Sequence, residues 1–282
     1  MRAMILAAGL GKRMQPLTAD RPKPLLKVGD KTLIEHQIEK LAAAGVTGIV
    51  INHFYLGSMI EELLGGGARF GLDISYSKEA IRLETAGGII KSLPKLKDDS
   101  FIVVNSDIWT DFDFSSLEPV NGDDRLAHLV LVENAEHHPH GDFYIDDQGK
   151  VHEDHTARDQ RLTFSGIYVV HKKLFDGYPI QPRSIIPLLQ QAMNEDRVSG
   201  EVHSGLWMDI GTPERLEEVN TLFAAAQARA MLEATNSEST EDTAEDTVGE
   251  STIESAVDSK EEGLIESTEE NREIGPGNYV GE

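Results

Sequence analysis

The stretch Ile5–Leu26, ILAAGLGKRMQPLTADRPKPLL, decides how the rest of the chain is read. Its apolar run stops at Ala8. Two glycines one residue apart follow, then the adjacent cations Lys12 and Arg13, with prolines at 16, 22 and 24. A short apolar run closed by glycine reads as a strand buried on both faces, and the polar stretch after it as an unusually long connection. Connections of that length inside a compact domain generally carry function. Gly9 and Gly11 can present backbone N–H groups with no side chain in the way, which forms an anion-binding concavity. Arg13 offers a fork suited to phosphate oxygens and Lys23 a compact ammonium, while Pro22 and Pro24 brace the backbone around that lysine. Neither common nucleotide motif is present. Met14 stands where a dinucleotide fingerprint needs its third glycine, and the spacing and Ser/Thr of a P-loop are missing.

Outward from this loop, apolar β-type runs alternate with helical patterns. AMILAA, GIVINHF, LDISYS and FIVVNSD read as strands; LGSMIEELLGGG and AGGIIKSLPKL read as helices. TLIEHQIEKLAAAG opens with Thr32 and has Glu35 three places on, a capping box, and stops at Gly45. The order predicts an α/β, Rossmann-like, mostly parallel mixed sheet with helices on both faces. The second half changes rhythm: AHLVLVEN, GDFYIDD, KVHE and LTFSGIYVVH are strands on short polar turns. The helix SIIPLLQQAMNED, the strand-like GLWMDIG and the helix PERLEEVNTLFAAAQARAML follow. One domain over 1–232 is expected, with two lobes over about 1–120 and about 121–232.

Composition narrows the class. No apolar run is long enough for a membrane span, no export signal stands at the N-terminus, and cysteine is absent, so a soluble cytoplasmic protein without disulfides is expected. The net charge of −23 is concentrated at the end: residues 233–282 hold 16 acidic and 2 basic residues. That segment is rich in Glu, Ser and Thr and is expected to be a disordered acidic tail. An acidic chain lacks the basic surface of a non-specific nucleic-acid binder.

Residues 6–25 match every fixed position of LAAGxGxRxxPLTxxxPKPL, and the chain resembles the sugar-1-phosphate nucleotidyltransferases that carry this signature. The resemblance implies a nucleotide-diphospho-sugar transferase fold and attack of a sugar-1-phosphate oxygen on the α-phosphate of a nucleoside triphosphate. It places Ala8, Gly9, Gly11, Lys12, Arg13 and Lys23 around the triphosphate, with Arg13 and Lys23 acting in catalysis. Nucleotidyl transfer also needs a hard divalent ion held by few carboxylates. Asp107, ending a buried strand, and Asp209, in WMDIGTPE, resemble the family's metal ligands, so Mg²⁺ is assigned to the pair. Read alone, either aspartate could be a turn or helix cap. Ser106 replaces the glycine usual before the first metal aspartate.

By the same resemblance Glu79, Glu84 and Thr85 contact the base, with Glu84 in place of a common glycine. Asn105, Gly141, Glu153 and Ser165 line the sugar site, although the Glu-Lys-Pro that aligns Glu153 in relatives is missing. Within the family, the resemblance points to UTP and N-acetylmuramate 1-phosphate as substrates, in bacterial cell-wall recycling. Mannose 1-phosphate with GTP, glucose 1-phosphate with UTP or dTTP, and an inactive nucleotide-sugar-sensing subunit stay open. His137, His138 and His140 could bind zinc, rim the sugar's lactyl carboxylate, or be plain surface histidines. A dehydrogenase fails on the missing glycine and on Asn52 and His53, where an acidic ribose partner belongs.

Overall fold

The computed structural model describes residues 1–153 and 161–241, with side chains through Ala234. The first strand, β1 (Ala3–Ala7), leads through the long loop to a hairpin of β2 (Lys27–Val28) and β3 (Lys31–Thr32), then α1 (Leu33–Ala43). Next come β4 (Gly48–His53), α2 (Ser58–Leu64), β5 (Asp73–Lys78), α3 (Glu84–Leu96), β6 (Ser100–Asn105) and β7 (Ile108–Thr110). The second half supplies β8 (Ala127–Val132), β9 (Tyr144–Ile145), β10 (Val151–His152), β11 (Thr163–His171), α4 (Ile186–Asn194), β12 (Val198–His203), β13 (Trp207–Asp209) and α5 (Pro213–Glu241).

Seven strands form one sheet in the order β12-β8-β11-β6-β1-β4-β5. β5, β4, β1 and β6 run parallel, and β11 lies antiparallel to both β6 and β8. The expected mixed, mostly parallel sheet is therefore present, and strands from both halves share it. Period-two alternation explains why the strands read as unbroken apolar runs. Ala3, Ile5 and Ala7 of β1 join one core with Ile49, Ile51, Ile102 and Val104. Met4 joins the other with Val50, Phe101 and Val103.

Glu35 caps α1 by accepting from the Thr32 N–H at 2.8 Å and its hydroxyl at 2.6 Å. Strand β12 was not legible in VSGEVH, because an edge strand needs no apolar alternation on its exposed side. The strand in GLWMDIG is present but does not join the large sheet: β13 pairs antiparallel with β7 as a separate ribbon. Among compact units, Met1–Met231 forms the first. Helix α5 continues to Glu241, past the boundary expected at residue 232, where a disordered tail was anticipated. The rest of that anticipated tail, residues 242–282, lies outside the described residues. Among the described residues no helix is long and apolar enough to cross a membrane.

Candidate active site

The parallel strands β1, β4, β5 and β6 all end at the same edge of the sheet, which is where ligands of such sheets gather. The loop after β1 occupies that edge and is ordered by its own sequence. Met14 is fully buried in a small core with Leu26, Val28, Leu33, Ile210, Leu216 and Val219. Gly11 has φ +61, and a Cβ there would stand 3.0 Å from the Thr18 methyl, whose hydroxyl donates to Gly11 O at 2.8 Å. Thr18 and Gly11 thus close the loop on itself, while nothing lies within 4 Å of a Cβ on Gly9. Lys23 opens a short 3₁₀ turn pinned by Leu25 N–H donating to Pro22 O at 2.9 Å. The bracing read from the prolines holds.

Lys23 Nζ lies 2.5 Å from Asp107 Oδ2, across 84 residues of sequence. The ribbon brings the second aspartate to the same place: Asp209 sits opposite Ile108, and Ile210 N–H donates to Asp107 O at 2.8 Å. Gly211 completes the convergence, since a Cβ there would stand 2.9 Å from Asp209 Oδ2 and 3.2 Å from an Arg13 guanidinium nitrogen. Neither aspartate is a helix cap; Thr212 Oγ1 faces the Arg215 N–H at 3.5 Å instead. Gly9, Gly11, Lys12, Arg13, Lys23, Arg82, Asp107 and Gly211 line one cavity of about 360 Å³. Asp107, in the turn just before β7, and Asp209, closing β13, offer a pair of oxygen donors, which fits a hard divalent ion that keeps water and substrate oxygens in its shell.

Helix α1 supports this ribbon from below. Gln37 Nε2 and Lys40 Nζ donate to the Ile108 and Thr110 carbonyls of β7. Burial pushes Lys40 below the usual lysine range, and its ammonium lies 5.3 Å over the Trp109 ring.

A second cavity of about 470 Å³ shares Gly9 and Arg82 with the first, and adds Ala8, Asn52, Glu84, Thr85 and Ser184. It holds two of the three residues expected at the base, Glu84 and Thr85. Glu79 is 3% exposed and does not line the cavity. Its carboxylate accepts from Asn52 Nδ2 and Leu83 N–H, both at 2.8 Å, and Asn52 Oδ1 accepts from Ala7 N–H at 3.0 Å. Glu79 is therefore a brace behind the wall. Glu84 does line the cavity, and it adopts φ +59, a conformation natural to the glycine it replaces. Thr85 lines it with a hydroxyl that already accepts from Ile185 N–H at 2.7 Å.

The four residues assigned to the sugar do not form one set. Ser165 is buried; its hydroxyl donates to Val130 O at 2.7 Å and accepts from Ile167 N–H at 3.1 Å, stitching the irregularity of β11. Asn105 lies against Gly166, where a Cβ would come within 2.4 Å of Asn105 Nδ2. Gly141 has φ +56, and a Cβ there would meet Asn134 Oδ1 at 2.7 Å. Glu153 instead lines a separate cavity of about 460 Å³ with Tyr144, Asp146, His152, Met193 and Asn194. In that cavity the His152 ring bonds Asp146 at 2.8 Å and holds its carboxyl below the usual range.

Two of the three histidines turn to different carboxylates. His138 faces Asp142 at 3.2 Å, whereas His137 Nε2 reaches Asp209 Oδ1 at 2.9 Å. Arg215, missed in the sequence, bonds that same Asp209 oxygen, and its guanidinium lies 3.1 Å from His137 Nε2. Arg82 was also missed. Its signal was a cation beside Glu84 in the connector between strand and helix.

Residues 2–226 match the model of the nucleotidyl transferase family. The chain belongs to that family and is a nucleotidyltransferase. It is 45% identical over 230 residues to the N-acetylmuramate alpha-1-phosphate uridylyltransferase of Neisseria meningitidis, covering 80% of this chain and 99% of that protein. The enzyme of the same name from Caulobacter vibrioides is 34% identical, covering 75% and 92%. A Neurospora crassa mannose-1-phosphate guanyltransferase is 36% identical, but the chain covers only 62% of it. Among solved structures, HddC of Yersinia pseudotuberculosis in complex with GMP-PN has a TM-score of 0.63 at 24% identity, covering 79% of this chain and 99% of that one. This likeness carries the fold.

Proposed function

We propose that the protein transfers a uridylyl group from UTP to N-acetylmuramate 1-phosphate, releasing pyrophosphate and forming UDP-N-acetylmuramate for cell-wall recycling. A phosphate oxygen of the sugar attacks Pα. The bond from Pα to the oxygen bridging Pβ breaks, and its electron pair leaves with pyrophosphate. No general base is required, because a phosphate monoester is already an anionic nucleophile. Positioning and charge neutralisation do the work. Backbone N–H groups at Gly9 and Gly11, with Lys12 and Arg13, hold the triphosphate, and Lys23 neutralises the oxygens around Pα. Asp107 and Asp209 would hold Mg²⁺, which would supply Lewis-acid charge to the phosphoryl oxygens.

The observation that carries this reading is the convergence of Lys23, Asp107, Asp209 and Arg13 at one strand edge, from segments up to about 200 residues apart. The choice of UTP and muramate phosphate is supported by the two bacterial relatives. The test measures pyrophosphate release by the purified chain across UTP, dTTP and GTP, paired with the 1-phosphates of N-acetylmuramate, mannose and glucose. Turnover is expected with UTP and N-acetylmuramate 1-phosphate and is abolished by chelation. Turnover with GTP and mannose 1-phosphate but not with this pair overturns the substrate assignment.

A further inference from the structure

One wall of the second cavity comes from the far half of the chain. Residues 181–185, leading into α4, lie across the N-terminal turn of α3. Arg183 N–H donates to Leu83 O at 3.0 Å, and Arg183 O accepts from Ala86 N–H at 2.9 Å. Thr85 Oγ1 takes the Ile185 N–H at 2.7 Å. Gly87 permits the approach, since a Cβ there would stand 2.2 Å from Gln181 O. The segment is also held from the other side: the Arg183 guanidinium lies 4.8 Å over the Tyr178 ring, and Tyr178 OH donates to Gln191 Oε1 at 3.1 Å. Ser184 sits between these anchors and lines the cavity beside Arg82 and Glu84.

Two hydroxyls of that wall keep hydrogen-bonding capacity, and Ser184 is the more weakly engaged of them: Thr85 accepts a short bond from Ile185 N–H, whereas Asn52 uses both its oxygen and its amide nitrogen on Ala7 and Glu79. Ser184 Oγ accepts only a long contact from Ile186 N–H at 3.3 Å, which leaves its O–H hydrogen and a second lone pair to use. A hydroxyl fixed by a rigid backbone on both sides reads a ligand edge without an ordering cost.

We propose that Ser184 is a specificity-determining contact to the nucleobase. Its hydroxyl donates to a carbonyl of the pyrimidine edge, while Glu84 is placed on the same cavity to accept from the imide N–H. The inference rests on the nucleotide-site reading above and adds a base contact from about 100 residues beyond the strand-to-helix connector.

The experiment measures equilibrium binding of UTP, ribose 5-triphosphate and tripolyphosphate to the full chain and its Ser184→Ala and Ser184→Thr variants, with melting curves of each. In Ser184→Ala, UTP binding is expected to weaken about five- to tenfold, as for loss of one hydrogen bond. The two base-free ligands should change less than about twofold. Ser184→Thr keeps the hydroxyl and should restore most of the UTP affinity. In turnover, KM for UTP should rise while kcat holds. Unchanged UTP affinity in Ser184→Ala, or equal losses for UTP and ribose 5-triphosphate at an unchanged melting temperature, overturns the base contact. A wild-type chain that binds UTP no better than tripolyphosphate overturns the nucleotide-site reading itself, and this inference with it.

Discussion

The loop from Ala8 to Leu26 and the joints that Asn134 makes with Thr163, and Ser165 with Val130, use polar groups in opposite ways. In the loop, Lys12 and Arg13 are exposed cations carried by a backbone that buries Met14 and closes through Thr18. At the joints, polar side chains serve the fold: Ser165 bonds Val130 and Ile167, and Asn134 accepts from Thr163 Oγ1 at 2.8 Å. Charge left without an internal partner on a braced backbone marks a ligand site. A hydroxyl that spends its hydrogen bonds on the chain marks a joint.

The largest effect that can break this comparison belongs to the loop's Lys23 and to Asp209 of β13. Lys23→Ala and Asp209→Ala should each lower turnover by about 10² or more, as loss of transition-state stabilisation requires. Neither residue belongs to an apolar core: Lys23 lines the cavity and pairs with Asp107, and Asp209 is partly exposed and held by His137 and Arg215. Circular dichroism should show a folded chain in both variants, with a lower melting temperature from the charge left unpaired on Asp107 or Arg215. Activity within about threefold of wild type in either variant would show that the convergence is structural rather than chemical.

Ser165→Ala sharpens the same comparison from the other side. It strands the Val130 carbonyl and the Ile167 N–H in a buried strand, at a cost of about 2 kcal/mol. Denaturant titration should show that loss, with KM for the sugar phosphate changed less than about twofold. A raised KM at unchanged stability would restore Ser165 as a sugar contact. The difference also explains what could be read from the chain beforehand. The loop was legible because its chemistry is local: glycines, prolines and cations act through neighbouring backbone, at fixed spacing. The sheet was legible because strands buried on both faces read as apolar runs. Ser165 was not, since whether a hydroxyl points to substrate or to Val130 depends on a strand pairing 35 residues away. Glu79 was misplaced for the same reason, as its partners Asn52 and Leu83 arrive from different elements. Arg215 and Ser184 were missed because nothing near them in sequence says which edge they will reach.

The smallest effect lies at Glu84, which lines the second cavity. Glu84 begins α3 at φ +59, where an L side chain costs about 1–2 kcal/mol. At an ordinary helix position alanine stabilises relative to glycine by about 1 kcal/mol. Here the order should reverse, because glycine adopts this backbone freely whereas alanine keeps the strain and loses the carboxylate. Glu84→Gly is therefore expected to be about 1 kcal/mol more stable than Glu84→Ala in paired denaturant titrations. Both variants remove the carboxylate that faces the cavity, so both should weaken UTP binding to the same extent. That shared loss separates what Glu84 does for a ligand from what its backbone costs the fold. If alanine proves the more stable of the two, the left-handed turn is not what this position demands, and the family's preference for glycine there has another cause.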